Sequence, residues 1–550
     1  MADSVSIRRR PLLIGLLLVL FTGVVFRGIL SAGFVRWDDG LHVYANPYLH
    51  SVSLQNTARF WTAPYQNLYV PVSYSLYALL AAMAHLPAPV LTPDGLRVDL
   101  NPRIFHAMSL LLHLTNVLLV FLLLRRLLPR PQTAGADWAA GAGALLFAIH
   151  PVQVESVAWI SEMRGLLSGL FSLLALHAWL RHSEGKRTWR FYALATVCFI
   201  LALLSKPSAV ILPLLAVILE VFLLRRPAQV WRAGLGIWGL LSVACLWLTH
   251  GAQPVTTDLV TPLWTRPFIA GDALAFYAGK LLWPVNLGSD YGRSPLWLTA
   301  QRWLFVTPLV PFAIGIAAWL ARQRAPWLAA SAALIAAALL PTLGLTPFVF
   351  QVYSTVADRY LYLALLGPAL AIAWALALVS RQLNCRAATA TWGAVAALLL
   401  LVALGSRIQT TYWQSSIPLF QQALSVNPQS WGASNNLGAI ALDSGRPFDA
   451  LPLLTKAVRL RPGFAEAHAN RGIALLELGD KNGAETELRE ALRLKPDYAT
   501  ADTWLGESLL AQGRSAEAAA AFRQALALNP GSHRAQEALR IAERNNRQRG

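Results

Sequence analysis

RRRPLLIGLLLVLFTGVVFRGIL, residues 8–30, sets three arginines before a mostly apolar run that opens at Pro11. At about 20 residues the run is long enough, as a helix, to cross the roughly 30 Å hydrocarbon core of a bilayer. The opening resembles the basic and apolar regions of a secretory signal, but its length and the lack of an A-x-A site favour an uncleaved first span. Ten further apolar stretches between basic clusters begin near Arg103, Asp137, Leu166, Trp189, Ala209, Val230, Trp303, Pro326, Tyr360 and Thr391, so eleven spans are expected. Composition agrees: 56% hydrophobic and 13% charged residues with a mean hydropathy of +0.47 exclude a disordered chain and an ordinary soluble enzyme.

A net charge of +18 could suit a polyanion-binding protein, so its distribution matters. Residues 410–550 hold 16 Lys+Arg and 14 Asp+Glu, which leaves 30 of the chain's 46 basic and 14 of its 28 acidic residues for 1–409. With the N-terminus cytoplasmic, one side collects Arg8–Arg10, Arg125, Arg126, Arg130, Arg181, Lys186, Arg187, Arg190, Arg225, Arg226, Arg232, Arg322, Arg324, Arg381 and Arg386, against Asp3, Asp137 and Glu184. That is the positive-inside bias, and an odd number of spans puts residues 410–550 on the far side. The charge reports orientation, and no nucleic-acid partner is expected. Cys198 and Cys245 fall in spans and Cys385 in a cytoplasmic loop, so no exported disulfide and no metal-ligand spacing arises.

The far-side segment repeats. Pro428, Pro462, Pro496 and Pro530 are spaced by 34, as are Ala423, Ala457, Ala491 and Ala525, then Gly438, Gly472 and Gly506, then Gly445, Gly479 and Gly513. This is the tetratricopeptide period. It predicts units 431–464, 465–498 and 499–532, a lead-in helix Trp413–Val426 and a polar closing helix from about Ser532. Asn436 and Asn470 share a repeat position facing the concave groove, where amides can bond an extended peptide or simply be solvated. Trp504 takes the third rung.

Eleven spans exceed what an anchor needs, so chemistry is expected on the outer segments, chiefly 31–102 and 250–302. WDDG, residues 37–40, offers a carboxylate pair, Asp38 and Asp39, suited to a general base or to a helix N-cap. HPVQVESVAWISEMRG, 150–165, crowds His150, Glu155, Glu162 and Arg164 into a turn at the hydrocarbon edge, as functional groups or as mutual salt bridges. Lys206 in SKPSAV can meet a lipid phosphate or snorkel. In ADRYLYL, Arg359 can grip phosphate or pair with Asp358. Lys280 and Arg293, in FYAGKLLWPVNLGSDYGRSPLW, 276–297, also fit an ordinary interfacial helix. Cations to hold a leaving phosphate and carboxylates to take an acceptor proton are the inventory of a transfer from a lipid phosphate.

WDDG with Asn46-Pro47, HPVQVES, SKPSAVILP, FYAGKLLWP, SDYGRSP and ADRYLYL, in that order and followed by the repeats, resemble the transmembrane and tetratricopeptide repeat-containing O-mannosyltransferase family, in its bacterial form, within the GT-C glycosyltransferases. The resemblance implies an all-α polytopic membrane domain over 1–409 and a repeat solenoid over 410–550. It implies transfer of a sugar, such as mannose, from a polyprenyl-phosphate donor to a hydroxyl, such as a protein Ser or Thr, at the non-cytoplasmic face. It puts the catalytic carboxylate on Asp38 or Asp39; the residue inventory itself offers Lys206, Arg359, Arg293 and Lys280 to the donor phosphate, with His150, Glu155, Glu162, Arg164 and Asp358 in support. An adjacent acidic pair also admits a divalent cation, Mg or Mn. The family's turn often reads HPxHxE, where this chain has Gln153, and many members carry an acid where it has Gly165. The expected place is a bacterial inner membrane with the repeats in the periplasm, binding a polypeptide acceptor or partner through Asn436 and Asn470. Two rivals compete: a non-enzymatic scaffold for envelope proteins, and a transporter of lipid-linked sugar, for which Glu220 is the main in-span candidate.

Overall fold

A computed structural model describes residues 2–92, 94–129, 133–184, 189–252, 261–382 and 384–549. Arg130, Lys186 and Arg187 of the cytoplasmic set, and part of the 250–302 segment, lie outside them. The chain divides into two compact units, Met1–Val90 with Val98–Leu419, and Leu91–Arg97 with Phe420–Gly550. The division therefore falls at 419/420 where the sequence suggested 409/410: the helix Cys385–Tyr412 runs past the expected boundary.

Among the described residues of the first unit, six segments are long and apolar enough to cross a membrane: Arg9–Ser31, Pro102–Leu127, Ile160–Ser183, Ala228–Ala252, Arg302–Ala321 and Arg386–Tyr412. The other five expected spans fall on shorter apolar helices, Ala134–Ile149, Trp189–Ser205, Pro207–Leu223, Pro326–Thr342 and Leu366–Gln382. Two are short for a local reason. His150 and Lys206 each precede a proline, which forces them into extended backbone and ends the helix there. The chain resumes after each break in short helices, Gln153–Ala158 and the 3-10 helix Pro207–Ile211, and the breaks and short helices carry site residues.

Ala134–Ile149 packs against Leu366–Gln382, Pro102–Leu127 and the first helix. Its sequence, rich in Ala and Gly, permits this: Ala139, Ala140 and Ala144 are fully buried, and a Cβ on Gly143 would collide with the Ala369 carbonyl. Close approach of backbones through small residues is how helices associate without a hydrophobic driving force. On the side read as cytoplasmic, Arg125 meets Asp137 at 2.7 Å and Arg126 meets Glu184 at 2.6 Å. The segment read as the loop 31–102 contains structure of its own, including the buried apolar helix Pro71–Ala84 and a two-stranded hairpin, His85–Leu91 with Arg97–Leu100.

The second unit is a stack of helix pairs: Trp431–Asp443 with Pro447–Leu460, Ala465–Glu477 with Lys481–Leu494, and Ala499–Ala511 with Ser515–Leu528. Gly445, Gly479 and Gly513 all have φ between +67° and +91°, so the turn inside each pair demands the left-handed backbone that glycine adopts freely. Ala457, Ala491 and Ala525 are fully buried where the helices meet. Ser416–Val426 leads in, starting later than Trp413 because Trp413 caps the preceding helix, and His533–Arg549 closes the stack.

Candidate active site

Four breaks in the helical unit supply the site: the turn at Trp37–Gly40, the segment Gln153–Glu162, the Lys206 junction, and the 3-10 turn Asp358–Leu361. The two aspartates of WDDG have different environments. Asp39 is 1% exposed and its carboxylate accepts three hydrogen bonds, from the Val35 N–H at 3.0 Å, the Ser161 N–H at 3.0 Å and the Ser161 hydroxyl at 2.6 Å. It sits at the N-cap position of Gly40–Tyr44 but makes no capping bond, so the capping alternative does not apply. Burial lifts its pKa to about 6, and the three donors limit the rise. Asp38 is half-buried, and among the described residues no group hydrogen-bonds its carboxyl. Desolvation raises its pKa, opposed by the positive charges of Arg164 and Arg359.

Ser161, which the sequence reading missed, links the two halves of the site. While its N–H and hydroxyl hold Asp39, its carbonyl accepts from Arg164 Nε at 2.8 Å and from the Tyr77 hydroxyl at 3.1 Å. A serine between Ile160 and Glu162 carries no motif signal, so only the tertiary contact identifies it. Arg164 makes no ion pair within 4 Å among the described residues and lies in electrostatic reach of Asp38, Glu162, Tyr74 and Tyr77. His42, also missed, bonds the Tyr74 hydroxyl at 2.8 Å, and burial depresses its pKa to about 2, which keeps it neutral.

The other cations are committed. Lys206 pairs with Glu162, and burial lowers the lysine's pKa. Gly165 makes this pair fit: a Cβ there would collide with the Glu162 carboxylate. Arg359 is 6% exposed, donates from Nη1 to Glu155 at 2.6 Å and from its own N–H to the same carboxylate at 3.0 Å. Its guanidinium lies 4.0 Å over the Phe350 ring, 4.8 Å over Tyr360 and 5.2 Å over Trp159. The alternative reading, an Arg359–Asp358 pair, is not what forms: Arg359 pairs with Glu155. Asp358 instead accepts from the Tyr291 hydroxyl at 2.7 Å, and burial together with the Glu155 charge pushes its pKa well up. Lys280 donates to the carbonyls of Val285 and Asn286 at 2.7 and 3.0 Å, and Arg293 meets Asp272 at 2.5 Å, both in an ordinary structural way. His150 meets the Leu281 carbonyl at 3.2 Å, and burial lowers its pKa to about 4. Gln153 is fully buried and donates to the Phe147 carbonyl at 3.0 Å.

Mg or Mn at Asp38 and Asp39 fits this donor set poorly. Three of the lone-pair positions on Asp39 are taken by N–H and O–H donors, and Arg164 supplies a positive charge beside Asp38. Among the described residues no group of three His, Cys, Asp or Glu side chains gathers to hold a cation. Glu220, the candidate for transport, is fully buried, accepts from Trp179 Nε1 at 2.9 Å and pairs with Arg226 at 3.4 Å, which is a structural role.

In the repeat unit, Asn470 donates from its side-chain amide to Asn435 Oδ1 at 2.9 Å, so one rung of the expected asparagine pair is partly spent inside the stack. Asn436 is half-buried and free of that bond. Trp504 lies under the Arg534 guanidinium at 3.7 Å.

The tetratricopeptide repeat family matches residues 413–465, 440–499 and 469–533, in register with the 34-residue period. Among curated proteins, the chain is 32% identical over 190 residues to Protein O-mannosyl-transferase Tmtc1 of Drosophila melanogaster, covering 34% of this chain and 20% of that protein. It is 25% identical over 478 residues to Protein O-mannosyl-transferase TMTC3 of Mus musculus, covering 79% of this chain and 49% of that protein. Both of these relatives are named protein O-mannosyl-transferases. The chain spans about half or less of the length of these O-mannosyl-transferase relatives. Among solved structures, the crystal structure of MamA is 28% identical over 23% of this chain and 75% of its own, with a TM-score of 0.22.

Proposed function

We propose that the chain is a membrane glycosyltransferase that moves a hexose from a polyprenyl-phosphate donor to a hydroxyl, such as that of a protein Ser or Thr, on the non-cytoplasmic face. The observation that carries this reading is the division of labour between adjacent aspartates: Asp39 is tied by three donors while Asp38 stands unbonded beside Arg164. A carboxylate with no donor, desolvated so that its proton affinity rises, is what a general base needs. The names of the O-mannosyl-transferase relatives and the repeat domain, which suits a polypeptide, support the same reading.

In the proposed reaction Asp38 takes the acceptor hydroxyl proton as the oxygen attacks the anomeric carbon. The bond from that carbon to the phosphate oxygen breaks, its electron pair stays with the phosphate, and configuration inverts. Arg164, which acts electrostatically on Asp38 and makes no ion pair among the described residues, holds the growing phosphate charge. Lys206 is the second cation, reachable once Glu162 yields it. Arg359, caged by rings and bonded to Glu155, holds the 3-10 turn in place rather than the phosphate.

The test is transfer from labelled polyprenyl-phosphate mannose in membranes carrying Asp38→Asn, Asp39→Asn or the double variant. Asp38→Asn should lose about two to four orders of magnitude, the usual contribution of a general base. Wild-type rates in all three would end the proposal. The scaffold alternative predicts that outcome, together with loss of partner binding on changing Asn436 and Asn470.

A further inference from the structure

One group of side chains near Asp38 has no part in the chemistry above. Trp37 immediately precedes Asp38, and its ring meets that of Tyr353 at 5.3 Å with a 52° tilt. Tyr353 meets Phe350 at 5.8 Å and 31°. Phe350 is the ring on which the buried Arg359 guanidinium rests at 4.0 Å, and that guanidinium in turn acts electrostatically on Asp38. The rings of Trp37, Tyr353 and Phe350 thus form a continuous strip whose two ends both return to Asp38. All three are half-buried, so each presents part of its surface. They come from two separate outer segments, the WDDG turn and the 3-10 turn Val349–Val352 with the residue after it.

Ordinary interfacial anchoring would leave aromatic rings splayed toward headgroups. Here Trp37 packs on Tyr353 and Tyr353 on Phe350, which in turn rests against a neutralised cation, and this packing restrains their planes. The exposed faces of such rings, held against one another, are electron-rich and form a surface on which a ligand can stack. A pyranose suits it: the polarised C–H bonds along one face of the sugar ring lie against such faces as weak hydrogen-bond donors, while the hydroxyls point away to water. A flexible acyl or isoprenoid tail has no need for ring planes.

We propose that Trp37 and Tyr353, backed by Phe350, form the platform that holds the hexose of the lipid-linked donor, face down, with its anomeric carbon beside Asp38. This rests on the glycosyltransferase reading for the identity of the donor. The platform itself is tested by binding. Purified full-length chain in nanodiscs is titrated with polyprenyl-phosphate mannose and with polyprenyl phosphate lacking the sugar. The wild type should prefer the mannose-bearing lipid by at least about fivefold, the scale of one aromatic contact. Trp37→Leu and Tyr353→Leu keep apolar bulk but lose the π face, and should abolish the preference. Trp37→Phe and Tyr353→Phe should restore most of it. In transfer assays the Leu variants should raise KM for the donor and not for the acceptor.

Equal binding of the two lipids by wild type would overturn the proposal, as would Leu variants that keep the preference or change acceptor KM instead, the result expected of a peptide platform. Preference without transfer in wild type would keep the platform and reject the glycosyltransferase reading. If a Leu variant does not fold, the paired Phe variants and the wild-type preference decide.

Discussion

Ser161→Ala isolates the link between the two aspartates and the cation. The change removes one hydroxyl donor, 2.6 Å from Asp39 Oδ1, and leaves the Ser161 and Val35 N–H donors in place. A hydrogen bond to a charged group is worth about 1.5 to 3 kcal/mol. Lost only from the ionised form, that corresponds to an upward shift of about one to two pH units for Asp39, since one unit is 1.36 kcal/mol. Asp39 already titrates near 6 because it is buried, so the variant carboxyl would be about half protonated or more at neutral pH. A protonated Asp39 accepts fewer bonds and no longer fixes the turn that presents Asp38. The acidic limb of the pH–rate profile for sugar transfer should therefore move to higher pH by about one unit or more. Ser161→Thr, which retains the hydroxyl, should leave it in place.

The sign of the stability effect separates this from unfolding. The folded-state pKa of Asp39 lies above its unfolded value near 4, so the folded state binds the proton more tightly. The stabilisation is fully present below the unfolded value and is lost as pH rises through about 6. Acid should then lower activity without lowering thermal stability through this group. An Ser161→Ala enzyme with a wild-type acidic limb and rate would refute the reasoning.

Arg164→Gln should lower kcat by about two to three orders of magnitude if the guanidinium meets the departing phosphate, with Arg164→Lys recovering part of it; single-turnover transfer assays measure this. Gly165→Ala should force Glu162 off Lys206 and destabilise the unit by about 1 to 3 kcal/mol, seen as a lower Tm in detergent, because a Cβ has no room beside that carboxylate. Glu155→Gln strands the buried Arg359 charge and should cost about 3 to 5 kcal/mol, with the Glu155→Gln, Arg359→Met double variant less damaged than the single. In the repeats, Phe522→Ala empties a fully buried position packed against Gly506 and should cost about 3 to 5 kcal/mol, measured as earlier proteolysis of the C-terminal unit.

The parts of this architecture that obey a period were legible from residues alone. Apolar runs between arginine clusters marked eleven segments that are all helical, and a 34-residue spacing placed every repeat, because helix length and repeat packing impose periodicity on the chain. Pro71–Ala84 was not legible: fourteen residues with Ser73, Tyr74 and Tyr77 among them look like loop, and burial against other helices is what makes the helix. The site divides in the same way. Asp38 and Asp39 stand out as a pair, yet nothing in WDDG says which is held, since the holder is Ser161, more than a hundred residues away. Motif reading likewise favoured Lys206 and Arg359 as free cations because counter-charges are invisible along a chain. In the fold each has its own carboxylate, Glu162 and Glu155, and both acids come from the 150–165 turn, whose charges the sequence left open as functional groups or mutual salt bridges. Once those two pairs are formed, the remaining charges near Asp38 are few. Arg164 is the cation lacking an ion pair and Asp38 the carboxylate lacking a hydrogen bond, among the described residues. A proton acceptor and an anion holder are the two roles that transfer from a lipid phosphate requires. The fold therefore spends most of the candidate charges in ion pairs or hydrogen bonds, and among the described residues of the site Arg164 makes no ion pair, Asp38 accepts no hydrogen bond, and the two act on each other electrostatically.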